Sequence, residues 1–165
     1  MSSSLPFRQG RAVYLIAALL AFCISACTAD SAETGMQLMQ SRMTQLRDEG
    51  SLELQGAVIN SRHFLPEFYQ QRDYQLAWTS RMDNARALSS RILASYQEGL
   101  VPADYHAAAL QQLLAESTNT RLSESQQVDL DIMLSEALAR YAYHLRFGKV
   151  NPERLDANWN LQRSF

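Results

Sequence analysis

Cysteine is nearly absent from this 165-residue chain: Cys23 and Cys27 are the only two, and both lie near its start. The chain beyond them has no thiol pair to oxidise, no cysteine nucleophile and no thiolate ligand for zinc or an iron–sulfur cluster. Packing alone must hold the folded part together. Lysine is scarcer still, with Lys149 the only one, and the arginines are scattered. Without a clustered basic footprint to meet phosphates, nucleic acid is not an expected partner. No glycine-rich phosphate loop, Gly-x-Ser-x-Gly elbow or Ser-x-x-Lys arrangement occurs. Sustained two-residue alternation, Asn-Gly hairpins and internal repeats are also missing, so a sheet-based core is not expected.

One long apolar run is present, Ala12 to Ile24, preceded by Arg8 and Arg11 and closed by small residues. These are the charged, apolar and cleavage regions of a secretory signal. At about 1.5 Å per residue the run covers roughly 20 Å, against a hydrocarbon core about 30 Å thick, so it is too short to span. The order Ile24-Ser25-Ala26-Cys27 resembles the lipobox of bacterial lipoproteins, which implies cleavage between Ala26 and Cys27 and a diacylglyceryl thioether on Cys27. Cys23 fits less well, because bulky Phe22 precedes it. Ordinary cleavage nearby, with Cys27 discarded or left free, is the alternative. Lipidation predicts a protein tethered to a membrane on the periplasmic side of the envelope, since acyl chains contribute about 0.8 kcal/mol per buried methylene. Thr28, rather than Asp, after the cysteine resembles lipoproteins passed to the outer membrane.

Removing residues 1–26 as a signal peptide leaves 139 residues with 13 basic and 17 acidic side chains, a formal charge of −4 and enough chain for one modest core. Residues 27–35 are small and polar and read as a tether. Residues 36–165 form the expected domain. Met36, Met39, Met43 and Leu46 recur at helical spacing before Gly50, which predicts a loosely packed outer helix with a permissive methionine face, a docking surface being the alternative. Leu52, Leu54, Val58 and Ile59 are compatible with a second short helix over 52–62.

An aromatic block follows from Phe64 to Trp78, with Pro66 suited to the first turn of a short helix. Asn84 is a candidate cap for a helix burying Leu88, Ile92 and Tyr96 and stopped by Gly99. Asp104 is the expected N-cap of a helix carrying Leu110, Leu113 and Leu114, with residues 117–120 as a loop. Ser123 and Gln126 have the form of a capping box. They open the clearest helix, whose apolar face is Leu130, Met133, Leu134, Ala137, Leu138, Tyr141 and Leu145, and which stops near Gly148. Leu155, Trp159 and Leu161 follow without period. The fold class predicted is all-α, an irregular bundle of five or six helices.

The candidate chemistry is sparse. His63, His106 and His144 have no spacing that puts two ligands on one helix face, so no metal site is expected; no other cofactor is implied. His106 reads as part of a helix start and His144 as a polar residue near a helix end. Asp129, Asp131 and Glu136 could supply an acid and a base, but the expected role is the solvated face of the long helix. The aromatics of 64–78, with Trp159, are expected in the core, a platform for sugar rings being the alternative. Arg72 and Arg146 could clamp a carboxylate, though exposed or locally paired arginines are commoner.

Three blocks carry a wider resemblance: Leu65-Pro-Glu-Phe-Tyr-Gln-Gln-Arg-Asp-Tyr-Gln-Leu-Ala-Trp78, Glu98-Gly-Leu-Val-Pro-Ala-Asp-Tyr-His106, and Asp129-Leu-Asp through Arg140-Tyr-Ala-Tyr-His-Leu-Arg-Phe-Gly-Lys-Val-Asn-Pro152 to Trp159. In order and spacing, across roughly residues 55–163, they resemble the scaffold domain of large murein L,D-transpeptidases. The resemblance implies a mostly helical region that precedes a peptidoglycan-binding insertion and a YkuD-type catalytic domain. In that family a cysteine in a Ser-x-Gly-Cys context joins peptidoglycan stem peptides. This sequence has no such motif, so the chain alone is expected to have no catalytic residues and no transpeptidase activity.

Two expectations follow. The first is a non-catalytic scaffold portion, a fragment whose sequence stops at Phe165 where the family continues, working in cell-wall biogenesis with peptidoglycan or a catalytic L,D-transpeptidase domain as partner. The alternative is a stand-alone lipid-anchored helical module that binds an envelope partner or murein.

Overall fold

The computed structural model describes residues 34–149; the signal region, Ala26, Cys23 and Cys27, and the segment with Trp159 lie outside the described residues. Five α-helices are described: α1 over residues 34–49, α2 Phe64–Gln70, α3 Met82–Leu93, α4 Ala107–Asn119 and α5 Glu124–Phe147. Short 3₁₀ turns at Ala94–Glu98 and Pro102–Tyr105 join α3 to α4. The predominantly helical class expected from the sequence is the class found.

α5 is the axis. Its Ser123 cap is a complete capping box: the Gln126 backbone N–H donates to Ser123 Oγ at 3.2 Å, and the Ser123 N–H donates to Gln126 Oε1 at 3.0 Å. The ten residues from Val128 to Ala137 are all buried, so this stretch has no solvent face. Other elements enclose it, with Met39, Met43 and Leu46 of α1, Leu65 and Tyr69 of α2, Ile92 of α3 and Leu110 and Leu113 of α4 filling the core. The methionine face of α1 is therefore packed into the core and is not a docking surface; of its four residues only Met36 stays exposed. Beyond Ala137 the cover thins. Tyr141 remains buried against Tyr105, but Leu138 and Leu145 are 44% and 47% exposed, unlike the continuous buried face the periodicity predicts.

Residues 52–62 are not a helix. They form an antiparallel hairpin, β1 Leu52–Leu54 and β2 Ala57–Ile59, with Leu52 opposite Ile59 and Leu54 opposite Ala57. Leu52, Leu54, Ala57 and Ile59 point inward while Glu53 and Val58 point out, the alternation a strand requires. Gln55 and Gly56 make the turn with φ of 49° and 75°, the left-handed pair that matches strand twist in a two-residue loop.

Smaller corrections concern the bounds of α3 and α4, some of them set by the 3₁₀ turns. α3 begins after Arg81, so Asn84 lies inside it rather than at its cap, and it ends at Leu93. A 3₁₀ turn advances about 120° per residue instead of about 100°, which rotates Ser95 into the core and leaves Tyr96 67% exposed. Gly99 does stop the segment, at φ 74°. Asp104 lies within the second 3₁₀ turn and does not cap α4; His106, at φ 59°, occupies that position. α4 itself runs through Asn119, so residues 117–119 are helical rather than loop.

Candidate functional site

Asp129, Asp131 and Glu136 are not a solvated face: they are 2%, 2% and 0% exposed. A buried carboxylate is costly unless paired, and each of these is satisfied by a different part of the chain. Asp129 Oδ1 lies 3.1 Å from Arg42 Nη2 of α1, and its Oδ2 accepts from Gln55 Nε2 of the hairpin turn at 2.9 Å. The Arg42 contact is ionic rather than an aligned hydrogen bond, since Oδ1 has no hydrogen-bond partner.

Asp131 fixes α2 and the loop behind it. The chain after α2 reverses through Asp73 and Tyr74, at φ 51° and 58°, and delivers two backbone N–H groups to one carboxylate. Ala77 N–H donates to Oδ1 at 3.0 Å and Trp78 N–H to Oδ2 at 2.9 Å. The Tyr69 hydroxyl donates to Oδ1 at 2.7 Å and lies 2.8 Å from Ser135 Oγ, which accepts from Trp78 Nε1 at 3.0 Å. The tyrosine, serine and tryptophan thus form one connected chain ending on the acid. Burial raises the Asp131 pKa above the usual carboxylate value, against the opposing pull of the Ala77 N–H, the Tyr69 hydroxyl and the Trp78 N–H. Burial, then the neighbouring Asp131 charge, pushes Tyr69 well above the ordinary phenol value.

Glu136 gathers the most donors. Its Oε1 accepts from the backbone N–H of Asn60 and Ser61, at 3.0 and 3.1 Å, from Ser61 Oγ at 2.8 Å and from Arg140 at 2.9 Å. Its Oε2 accepts from His106 Nε2 at 2.7 Å. Burial works to raise its pKa, yet the His106 bond, the Asn60 N–H, the Arg140 charge and Ser61 outweigh it and bring the value below normal. His106 is therefore more than a helix start: it ties the turn before α4 to α5.

Against this frame lies a groove of about 610 Å³ beside Trp78, lined among others by Phe64, Phe68, Arg72, Arg81, Leu88 and Leu138. Phe64 and Phe68 stack with ring centroids 5.6 Å apart, and the Arg72 guanidinium lies 5.5 Å above the Phe68 ring. The aromatic block therefore divides: Tyr69 is core, while Phe64, Phe68 and Trp78 present surface. A second cavity of about 320 Å³ opens on another side of Trp78, near Met82, Arg86, Arg121 and Leu130.

The three histidines stay apart. His63 precedes α2 without capping it, His106 meets Glu136, and His144 Nδ1 lies 2.9 Å from the Tyr105 hydroxyl. No group of three or more His, Cys, Asp or Glu that could hold a metal occurs among the described residues. Among the described residues neither Arg72 nor Arg146 clamps a carboxylate; Arg146 lies over the Phe147 ring at 5.4 Å. No described helix is long and apolar enough to cross a membrane. Sequence reasoning missed the fastening role of Asp129, Asp131 and Glu136. A usable signal was present, since Asp129, Asp131, Ser135 and Glu136 interleave with Leu130, Ile132, Met133 and Leu134 and leave the helix no wholly polar face.

These features define a helical frame whose segments are fastened to one central helix through buried carboxylates, with an aromatic groove on its surface. The Scaffold domain family matches residues 63–164, more than half of the chain, and the chain belongs to that family. No curated protein and no solved structure matches it.

Proposed function

We propose that this chain is the non-catalytic scaffold portion of an envelope L,D-transpeptidase, acting in peptidoglycan cross-linking and cell-wall biogenesis, and tethered to a membrane through lipid on Cys27. The observation that carries the reading is the Scaffold family match over residues 63–164. The blocks that resemble the transpeptidase scaffold also contain the fastening residues: Tyr69, Ala77 and Trp78 in the first, His106 in the second, and the three acids in the third. The resemblance thus rests on residues that build the frame, which suits a part whose work is to position other machinery.

Deleting the gene in its host and analysing the muropeptides tests the role. The expected result is a fall in cross-links between diaminopimelate residues; an unchanged pattern removes the cross-linking role. The purified chain in detergent, given tetrapeptide stems, is expected to form no cross-linked product, and turnover would overturn the non-catalytic assignment. For the anchor, growth with labelled palmitate is expected to label wild type but not Cys27→Ala, and equal labelling of both would sink it.

A further inference from the structure

We propose that the Trp78 groove, together with the apolar stripe it continues into along α5, is a docking face for an acidic amphipathic segment of a partner protein. This goes beyond the scaffold reading and does not depend on it. The floor is preorganised: Trp78 is held by its backbone N–H on Asp131 and by its indole N–H on Ser135, so its ring position does not have to be fixed on binding. Leu138 lines the groove, and Ala142 and Leu145 follow it at four- and seven-residue steps, all exposed. Seven residues of helix add about 10 Å to the apolar track, a length suited to the successive anchors of a helix lying in a groove and longer than a single small molecule needs.

Charge selects the occupant. Arg72 and Arg81 line the groove, no Asp or Glu does, and among the described residues neither guanidinium has an ion-pair partner. Carboxylates flanking an apolar face complement this arrangement, since arginine beside an aromatic floor presents a planar fork to them. A second copy docked about a two-fold axis brings the same arginines against each other, which disfavours it.

The test places photoreactive benzoylphenylalanine, in the full chain in its host, at position 138 or 145, and at position 96 as an exposed site elsewhere. The expected result is an adduct from 138 and 145, in excess over 96, whose partner peptide carries apolar residues at helical spacing flanked by Asp or Glu. Reversing both charges with Arg72→Glu and Arg81→Glu is expected to lower the yield about tenfold, the sum of two partly exposed charge contacts, while Arg72→Lys with Arg81→Lys retains most of it. Thermal melts of both pairs are expected to match wild type, so a loss confined to the Glu pair reports charge and not unfolding. Adducts to a second copy, adducts to murein glycan, yields no greater than at 96, or yields indifferent to charge reversal would each overturn the proposal.

Discussion

Asp131 is the residue with the most consequence for its neighbours, because two backbone N–H groups have its carboxylate as their partner and a buried tyrosine hydroxyl donates to it as well. Asp131→Ala strands the Ala77 and Trp78 N–H groups, leaves the Tyr69 hydroxyl to Ser135 and the backbone carbonyl of residue 131, and is expected to cost about 3–5 kcal/mol in urea unfolding, whereas Tyr69→Phe, which removes one member of the chain, is expected to cost about 1–2 kcal/mol. The acids also differ in sign. Glu136 has a folded pKa below its usual 4.5, so its contribution is complete above that value and is lost as pH falls through the folded value. Asp131 is raised above 3.8, so its contribution weakens as pH rises from there through its folded value. Glu136→Gln is expected to lower stability at pH 7 by about 3 kcal/mol and to flatten the decline below pH 4.5, measured by unfolding across pH. An equally steep acid decline in that variant would remove Glu136 as its source.

At the scale of elements, the hairpin turn isolates a backbone effect. Gly56 has φ of 75° and open space where a Cβ would go, so Gly56→Ala meets no atom and is opposed only by conformation. A loss of about 1 kcal/mol is expected from thermal or urea unfolding. A loss near zero would show that the turn relaxes to another type. The helices were the legible elements. Ser123 and Gln126 mark their own cap, Gly50 marks the stop of α1 and Gly99 that of the 3₁₀ turn after α3, and the spacing of Met39, Met43 and Leu46 places α1 correctly. The hairpin was not legible because three-residue strands are too short to show a period and Gln-Gly is a weaker turn signal than Asn-Gly. Burial of the α5 acids was missed for another reason: the helical period marks one apolar stripe and assigns the remaining faces to solvent, although the apolar residues interleaved with the acids left no wholly polar face.

For the whole molecule, fastening converges on Asp129 to Glu136, about two turns of one helix. Amide hydrogen exchange is expected to be slowest at residues 130–137 and to approach the rate of global unfolding there, because no smaller opening exposes them. Exchange at those amides faster than at α4 would contradict α5 as the axis. The groove face was only half legible, since the sequence shows its aromatics as a cluster but not which of them turn outward.

Concentrating the ties on two turns also decides how the protein is destroyed. Losing that stretch releases α1, the hairpin turn, the Trp78 loop and the His106 turn together, so a protease meets either a resistant body or an open chain. Limited digestion is then expected to leave the described frame, residues 34–149, either whole or reduced to small peptides, with no partial fragment of it accumulating. Turnover of such a frame is all-or-nothing, leaving no partly degraded form of it to persist.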